Sequence, residues 1–112
     1  MAIKMVDEVV DVGNFGLPSS AVVALRGVFA QNAHVGRAVV YGSRAKGNYR
    51  TGSDIDISLE GSGLTLTDLM HLETALDDLL LPWKIDLSLI SQIDSPELLA
   101  HIARVGRPLW VR

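Results

Sequence analysis

Cysteine is absent from the 112 residues, which rules out disulfides and thiolate metal sites and is compatible with a reducing compartment. Basic charge is not in excess either: ten Lys and Arg stand against 13 Asp and Glu, for a net charge of −3. A groove that follows many phosphates needs the opposite balance, so long nucleic acid is a poor partner for this chain. No apolar run approaches the roughly 20 residues that cross a bilayer. The opening MAIKMVDEVVDVG is broken by Asp7, Glu8 and Asp11 and lacks the apolar stretch of a secretory signal. These absences together point to a cytoplasmic protein. What is present, 48% hydrophobic and 21% charged residues, fits one soluble domain spanning 1–112 with a core of its own, residues 1–16 being the least readable part.

Periodicity supplies the elements. Val22, Leu25, Val28 and Phe29 form a helical stripe, predicting a helix that starts at Pro18–Ser20, with Ser as cap, and runs to about Asn32. Ala38–Tyr41 reads as a short buried strand, followed by a Gly42-Ser43 turn and a first helical turn over Arg44–Lys46. From Asp54 to Glu60 the chain alternates strictly, with Ile55, Ile57 and Leu59 opposite Asp54, Asp56, Ser58 and Glu60. Thr65 and Asp68 form a capping box for a helix whose apolar face is Leu69, Leu72, Leu76, Leu79 and Leu80 and which Pro82 stops. Trp83–Ile90 alternates again, with Lys84, Asp86 and Ser88 on one face. A last helix opens at Ser95-Pro96 and closes at Gly106, read as a C′ glycine. The order predicts an α+β fold, one mixed sheet flanked by helices.

Strands avoid Asp, yet Asp54 and Asp56 share one strand face, about 6.6 Å apart. If the Asp86 strand pairs beside theirs, three carboxylates meet. Two like charges at ~6 Å repel by roughly 2.8 kcal/mol in an effective dielectric of about 20. A divalent cation removes that cost, and Mg²⁺ takes such oxygen ligands together with substrate phosphates. Acids on a solvent face, neutralised by Lys84 or an arginine, are the plainer account. The turn upstream favours the first account. Glycine lets backbone approach a phosphate, and Ser43, Arg44 and Lys46 can add donors. GSRAKG has P-loop spacing, but Asn48-Tyr49 stands where Lys and Ser or Thr belong. Gly61-Ser62-Gly63 has Leu66 at the third glycine's place of a dinucleotide fingerprint. A phosphate turn followed closely by Asp-x-Asp, with a further Asp on a later strand, suits metal-assisted phosphoryl chemistry.

GSRAKGNYRTGSDIDISLEG resembles the signature of the polymerase-beta nucleotidyltransferase superfamily: Gly-Ser, a spacer, Asp-x-Asp. The chain from Pro18 to Gly106 is similar to the minimal, single-domain (MNT-type) members. The resemblance implies the polymerase-beta-type fold. It implies that Gly42 and Ser43 bind the β- and γ-phosphates of a nucleoside triphosphate, with Arg44 and Lys46 at the basic loop positions. Asp54 and Asp56 would ligate Mg²⁺, in all two ions. Asp86 in KIDLSLI would be the third carboxylate, on a metal or helping to deprotonate the attacking hydroxyl. Minimal members resemble antitoxins that pair with a HEPN-domain toxin in a hetero-oligomer and transfer AMP from ATP to a tyrosine of that partner. Silencing by binding alone and transfer to a small molecule such as an antibiotic stay open as alternatives.

Other features read more plainly. His34, His71 and His101 match no metal spacing, and His101 sits one turn after Glu97 as an ordinary i,i+4 pair. Asp77-Asp78 reads as a solvated face. Tyr49 and Arg50 lie on the loop over the site, as contacts or as a plain turn. RPLWVR is either an interface anchor or a terminal strand that tucks Trp110 inward.

Overall fold

The structure is a computed structural model and describes residues 14–112; the reading of the N-terminal segment therefore falls, up to residue 13, outside the described residues. Helix α1 (Ser19–Ala30) leads into β1 (Arg37–Tyr41), a single turn α2 (Ser43–Lys46) and β2 (Ile55–Glu60). Then come α3 (Leu66–Asp77), β3 (Ile85–Leu89), a 3₁₀ turn at Ile90–Gln92, α4 (Pro96–Val105) and β4 (Arg107–Val111). The sheet order is β3-β2-β1-β4. Strand β1 is antiparallel to both its neighbours, and β2 and β3 run parallel. The predicted mixed sheet with flanking helices is what forms.

Alternation gives the sheet two unlike faces. Ala38, Val40, Ile55, Ile57, Leu59, Leu87 and Leu89 face α1 and α3, where Leu25, Phe29, Leu72 and Leu76 complete the main core. Val39 and Tyr41 face the other way and meet Ile102 of α4 in a second, smaller cluster. Helix α4 covers only part of that second face. Its uncovered end holds Asp56 and Asp86, side by side in the parallel register.

Local chemistry explains most element ends. Thr65 and Asp68 make the reciprocal capping box at the start of α3. Ser95 accepts from the Leu98 amide, with Pro96 in the first turn of α4. Three boundaries differ from expectation, and Gly106, which does close the last helix, differs in conformation. The N-cap of α1 is Pro18, without a side-chain bond, because Ser19 and Ser20 already lie in the helix. Helix α3 ends at Asp77, before Pro82: Leu79 and Leu80 donate three residues back, to Leu76 and Asp77, which tightens the last turn. Leu80 then takes a left-handed φ of 55° and is 87% exposed, so it leaves the apolar face to Leu69, Leu72, Leu76 and Leu79. Strand β3 begins at Ile85, two residues after Trp83. Gly106 is extended (φ −61°) and serves by its size, since a Cβ there would lie 2.4 Å from the Ile102 carbonyl and 2.7 Å from Val39 Cγ1.

The RPLWVR tail is the strand of its two readings. Strand β4 pairs with β1, and Trp110 packs half-buried against the main core. The Arg112 guanidinium lies 4.8 Å from the Trp110 ring centre and donates to the carbonyls of Asn32 and Val35.

Candidate active site

The C-terminal end of β1 and the N-terminal ends of β2 and β3 lie side by side. Register places Tyr41 opposite Asp56, and Asp56 beside Asp86. Asp54 directly precedes β2 and is exposed, as is Asp86, whereas Asp56 is half-buried. Burial first, then the charges of Asp86 and Asp54, hold the Asp56 carboxyl above the ordinary carboxylate range; Lys84 offsets part of this. Both neighbouring carboxylates thus bear on Asp56. Among the described residues no three His, Cys, Asp or Glu side chains stand close enough together to hold a metal ion by themselves. The donor set is nevertheless all oxygen, and its mutual repulsion is what a hard cation relieves. Mg²⁺ fits such a partial set, because it draws its remaining ligands from phosphates and water.

Gly42 abuts this carboxylate group. Its φ of 72° belongs to glycine, and a Cβ on it would stand 2.5 Å from Asp56 Oδ2. The turn and the Asp-x-Asp strand are therefore in van der Waals contact, with no room for a side chain between them. The Gly42 carbonyl accepts from the Ala45 and Lys46 amides, which winds Ser43–Lys46 into a helical turn. Ser43 is half-exposed at the start of that turn and Lys46 is exposed at its end.

Arg44 departs from the expectation of a phosphate contact. It is 1% exposed, and its guanidinium donates to the carbonyls of Phe15, Thr51 and Ser53 at 3.0 to 3.1 Å. The Tyr49 and Trp83 rings flank it, at 5.1 and 5.8 Å. Buried carbonyls needed a donor that can reach three of them, and the planar five-donor fork of arginine does so. The residue that was expected on the nucleotide instead ties the spacer loop to the preceding chain. Tyr49 is a structural ring too, seated so closely over Gly16 that a Cβ there would overlap it. Trp83 completes the brace by donating to Thr51 O at 3.0 Å.

Two residues of this region escaped the sequence. Tyr41 is buried among the acids, and burial, with Asp56 and Asp86 adding to it, raises its phenol above the usual value; a hydrogen bond with Ser88 works against this. His101 of α4 turns toward the site rather than toward Glu97: its Nε2 accepts from the Gly42 amide at 3.2 Å, and its ring stands edge-on to Tyr41. Only the helical position of His101, one residue before the buried Ile102, hinted at an inward-facing ring. His34 is instead bound to Asp68 at 2.9 Å, and His71 is exposed on α3. Asp77 and Asp78 are exposed, as a solvated face requires.

No curated protein matches the chain. Among solved structures, a protein described as a minimal nucleotidyltransferase is 28% identical, with 80% of this chain and 90% of that one covered and a TM-score of 0.64. A toxin–antitoxin crystal structure with AMP-PNP is 22% identical and shares the fold over 86% of this chain and 75% of that one, with a TM-score of 0.64. The complex of a tri-AMPylated Shewanella oneidensis HEPN toxin with MNT antitoxin is 18% identical, covering 84% and 72%, with a TM-score of 0.63. The family model described as polymerase beta, nucleotidyltransferase matches residues 24–112, which include the glycine turn and all three aspartates. With that match over most of its length, the chain belongs to the polymerase-beta nucleotidyltransferase family.

Proposed function

We propose that this nucleotidyltransferase moves AMP from ATP to a tyrosine hydroxyl of a HEPN-type toxin partner and thereby acts as its antitoxin. The observation that carries the reading is the contact of Gly42 with Asp56, which sets a phosphate turn directly against the Asp54, Asp56 and Asp86 carboxylates. The fold shared with a HEPN–MNT pair and with an AMP-PNP-bound toxin–antitoxin pair supports the choice of partner and nucleotide.

In this reading the Gly42-Ser43 turn seats the β- and γ-phosphates, with the exposed Lys46 as a point charge beside them. Asp54 and Asp56 would hold Mg²⁺, with help from Asp86. When bound, Mg²⁺ neutralises the triphosphate and the departing pyrophosphate. The acceptor oxygen attacks the α-phosphorus in line, the bond to the β-bridging oxygen breaks, and pyrophosphate leaves with that electron pair. The hydroxyl proton passes to Asp86, an exposed carboxylate that an acceptor can reach. Arg44 contributes only by fixing the loop.

The test is labelled ATP with the purified chain and its HEPN partner. Label should appear on the partner and vanish with Asp54→Asn and with removal of Mg²⁺. An unlabelled partner, or undiminished labelling by Asp54→Asn, overturns the reading. Full rescue of growth by Asp54→Asn/Asp56→Asn would instead show that binding alone silences the toxin.

A further inference from the structure

Glycine in a left-handed turn is easily displaced unless its peptides are pinned. On the carbonyl side of Gly42 the pins are the Ala45 and Lys46 amides, at 3.2 and 3.0 Å. On the amide side the partner is a side chain 59 residues further on, His101 Nε2, at 3.2 Å. The imidazole is held in turn. Its ring centre lies 6.1 Å from that of Tyr41 with the planes at 82°, an edge-to-face contact. The next residue, Ile102, anchors α4 in the cluster with Val39 and Tyr41.

We infer that His101 is a positioning residue of the phosphate turn: its neutral imidazole fixes the Gly42 amide, and with it the direction in which Ser43 faces the nucleotide. An amide donor requires a bare Nε2, so the ring carries its proton on Nδ1. The amide of Gly42 is thereby committed to protein. The glycine serves the nucleotide by its missing Cβ and its backbone angle, and Ser43 makes the contact. Helix α4 thus has a role in the site, although none of the three aspartates lies on it. This inference rests on the reading of Gly42-Ser43 as the nucleotide turn.

Two measurements test it on the intact chain. Long-range ¹⁵N–¹H correlation spectra of the free protein should show His101 protonated at Nδ1 and bare at Nε2. The Gly42 amide should exchange slowly in wild type and faster in His101→Phe, which keeps the ring against Tyr41 and removes the acceptor. Titration with Mg²⁺ and AMP-PNP is the second. One lost hydrogen bond predicts binding about five- to tenfold weaker in His101→Phe. His101→Gln, whose Oε1 can take the place of Nε2, should recover most of that loss, and His71→Ala should match wild type. In the transfer assay the loss should appear in KM for ATP with kcat nearly unchanged. A protonated Nε2, or His101→Phe binding as tightly as wild type, overturns the inference, and so does a His101→Gln that binds no better than His101→Phe. If wild type binds no nucleotide, the reading of the turn fails, while the spectra still decide the His101–Gly42 contact by themselves.

Discussion

At the residue scale the most informative group is Asp56. Its carboxyl is held above the ordinary range by burial and by two neighbouring acids, so its charged form costs the folded state something. The sign follows from linkage. A carboxylate whose folded pKa is raised favours the native state at low pH, and that benefit is lost as pH rises through the folded value. At neutral pH without divalent cations, Asp56→Asn should therefore melt at a temperature equal to or above that of wild type. Added Mg²⁺ should raise the melting temperature of wild type and leave the variant nearly unmoved. Calorimetry with and without Mg²⁺ checks this, and a variant that melts clearly below wild type in chelator would contradict it. Transfer activity should fall by about a thousandfold, on the order of the 4 kcal/mol that a lost charge-stabilising group removes. This residue was legible because its signal is local. A strict two-residue alternation betrays a carboxylate on the wrong kind of element. His101 was not, because its partner is a backbone amide in another part of the chain.

Among the elements, the spacer between the glycine turn and β2 is held by a single buried arginine. Arg44→Met should cost about 3 kcal/mol, since three carbonyls lose a charged donor and at least some stay buried. Arg44→Lys should recover little, as an ammonium cannot reach the three at once. Denaturant melts measure both; a loss below about 1 kcal/mol for Arg44→Met would mean that the rings of Tyr49 and Trp83 suffice. The start of α3 gives a pH dependence of opposite sign. Asp68 accepts from His34, from the Thr65 amide and hydroxyl and from Asn32, which holds its carboxyl well below the usual carboxylate range. A depressed acid stabilises the fold above its unfolded pKa of about 3.9, and that contribution is lost as pH falls toward the folded value. Melting temperature should accordingly drop more steeply below about pH 4 in wild type than in Asp68→Asn; parallel acid limbs would refute this. The capping box and the Ser95-Pro96 start were readable because both bonds lie within four residues. The role of Arg44 was not, because backbone carbonyls leave no mark in a sequence and the basic position next to a Gly-Ser turn invites a phosphate. Leu80 was misread for a related reason: helical periodicity continues past the point where tertiary packing ends the helix.

In the whole molecule the sheet joins pieces that are far apart in the chain. The glycine turn and the Asp-x-Asp strand are joined by an antiparallel pairing of near neighbours, β1 with β2. The third carboxylate arrives by a parallel crossover through α3, and its register is pinned by Leu87 and Leu89 on the core face. A slip of one residue would turn Asp86 to the wrong side of the sheet. Parallel pairing closes a long loop and forms slowly compared with a local hairpin. If the site works as proposed, its two halves should therefore assemble in order: the Gly42-Ser43 turn with the Asp-x-Asp strand first, Asp86 afterwards. On refolding in a Trp110→Phe background, the fluorescence of Trp83, which anchors the entry to β3, should recover before or together with transfer activity and never after it. With Asp86 as the proposed proton acceptor, a chain mispaired beyond α3 would keep its turn and its Asp-x-Asp strand and still be unable to complete the reaction. In the proposed mechanism Asp86 would thus mark a step of the protein's own maturation, since the acceptor's proton finds its base only once β3 has settled beside β2.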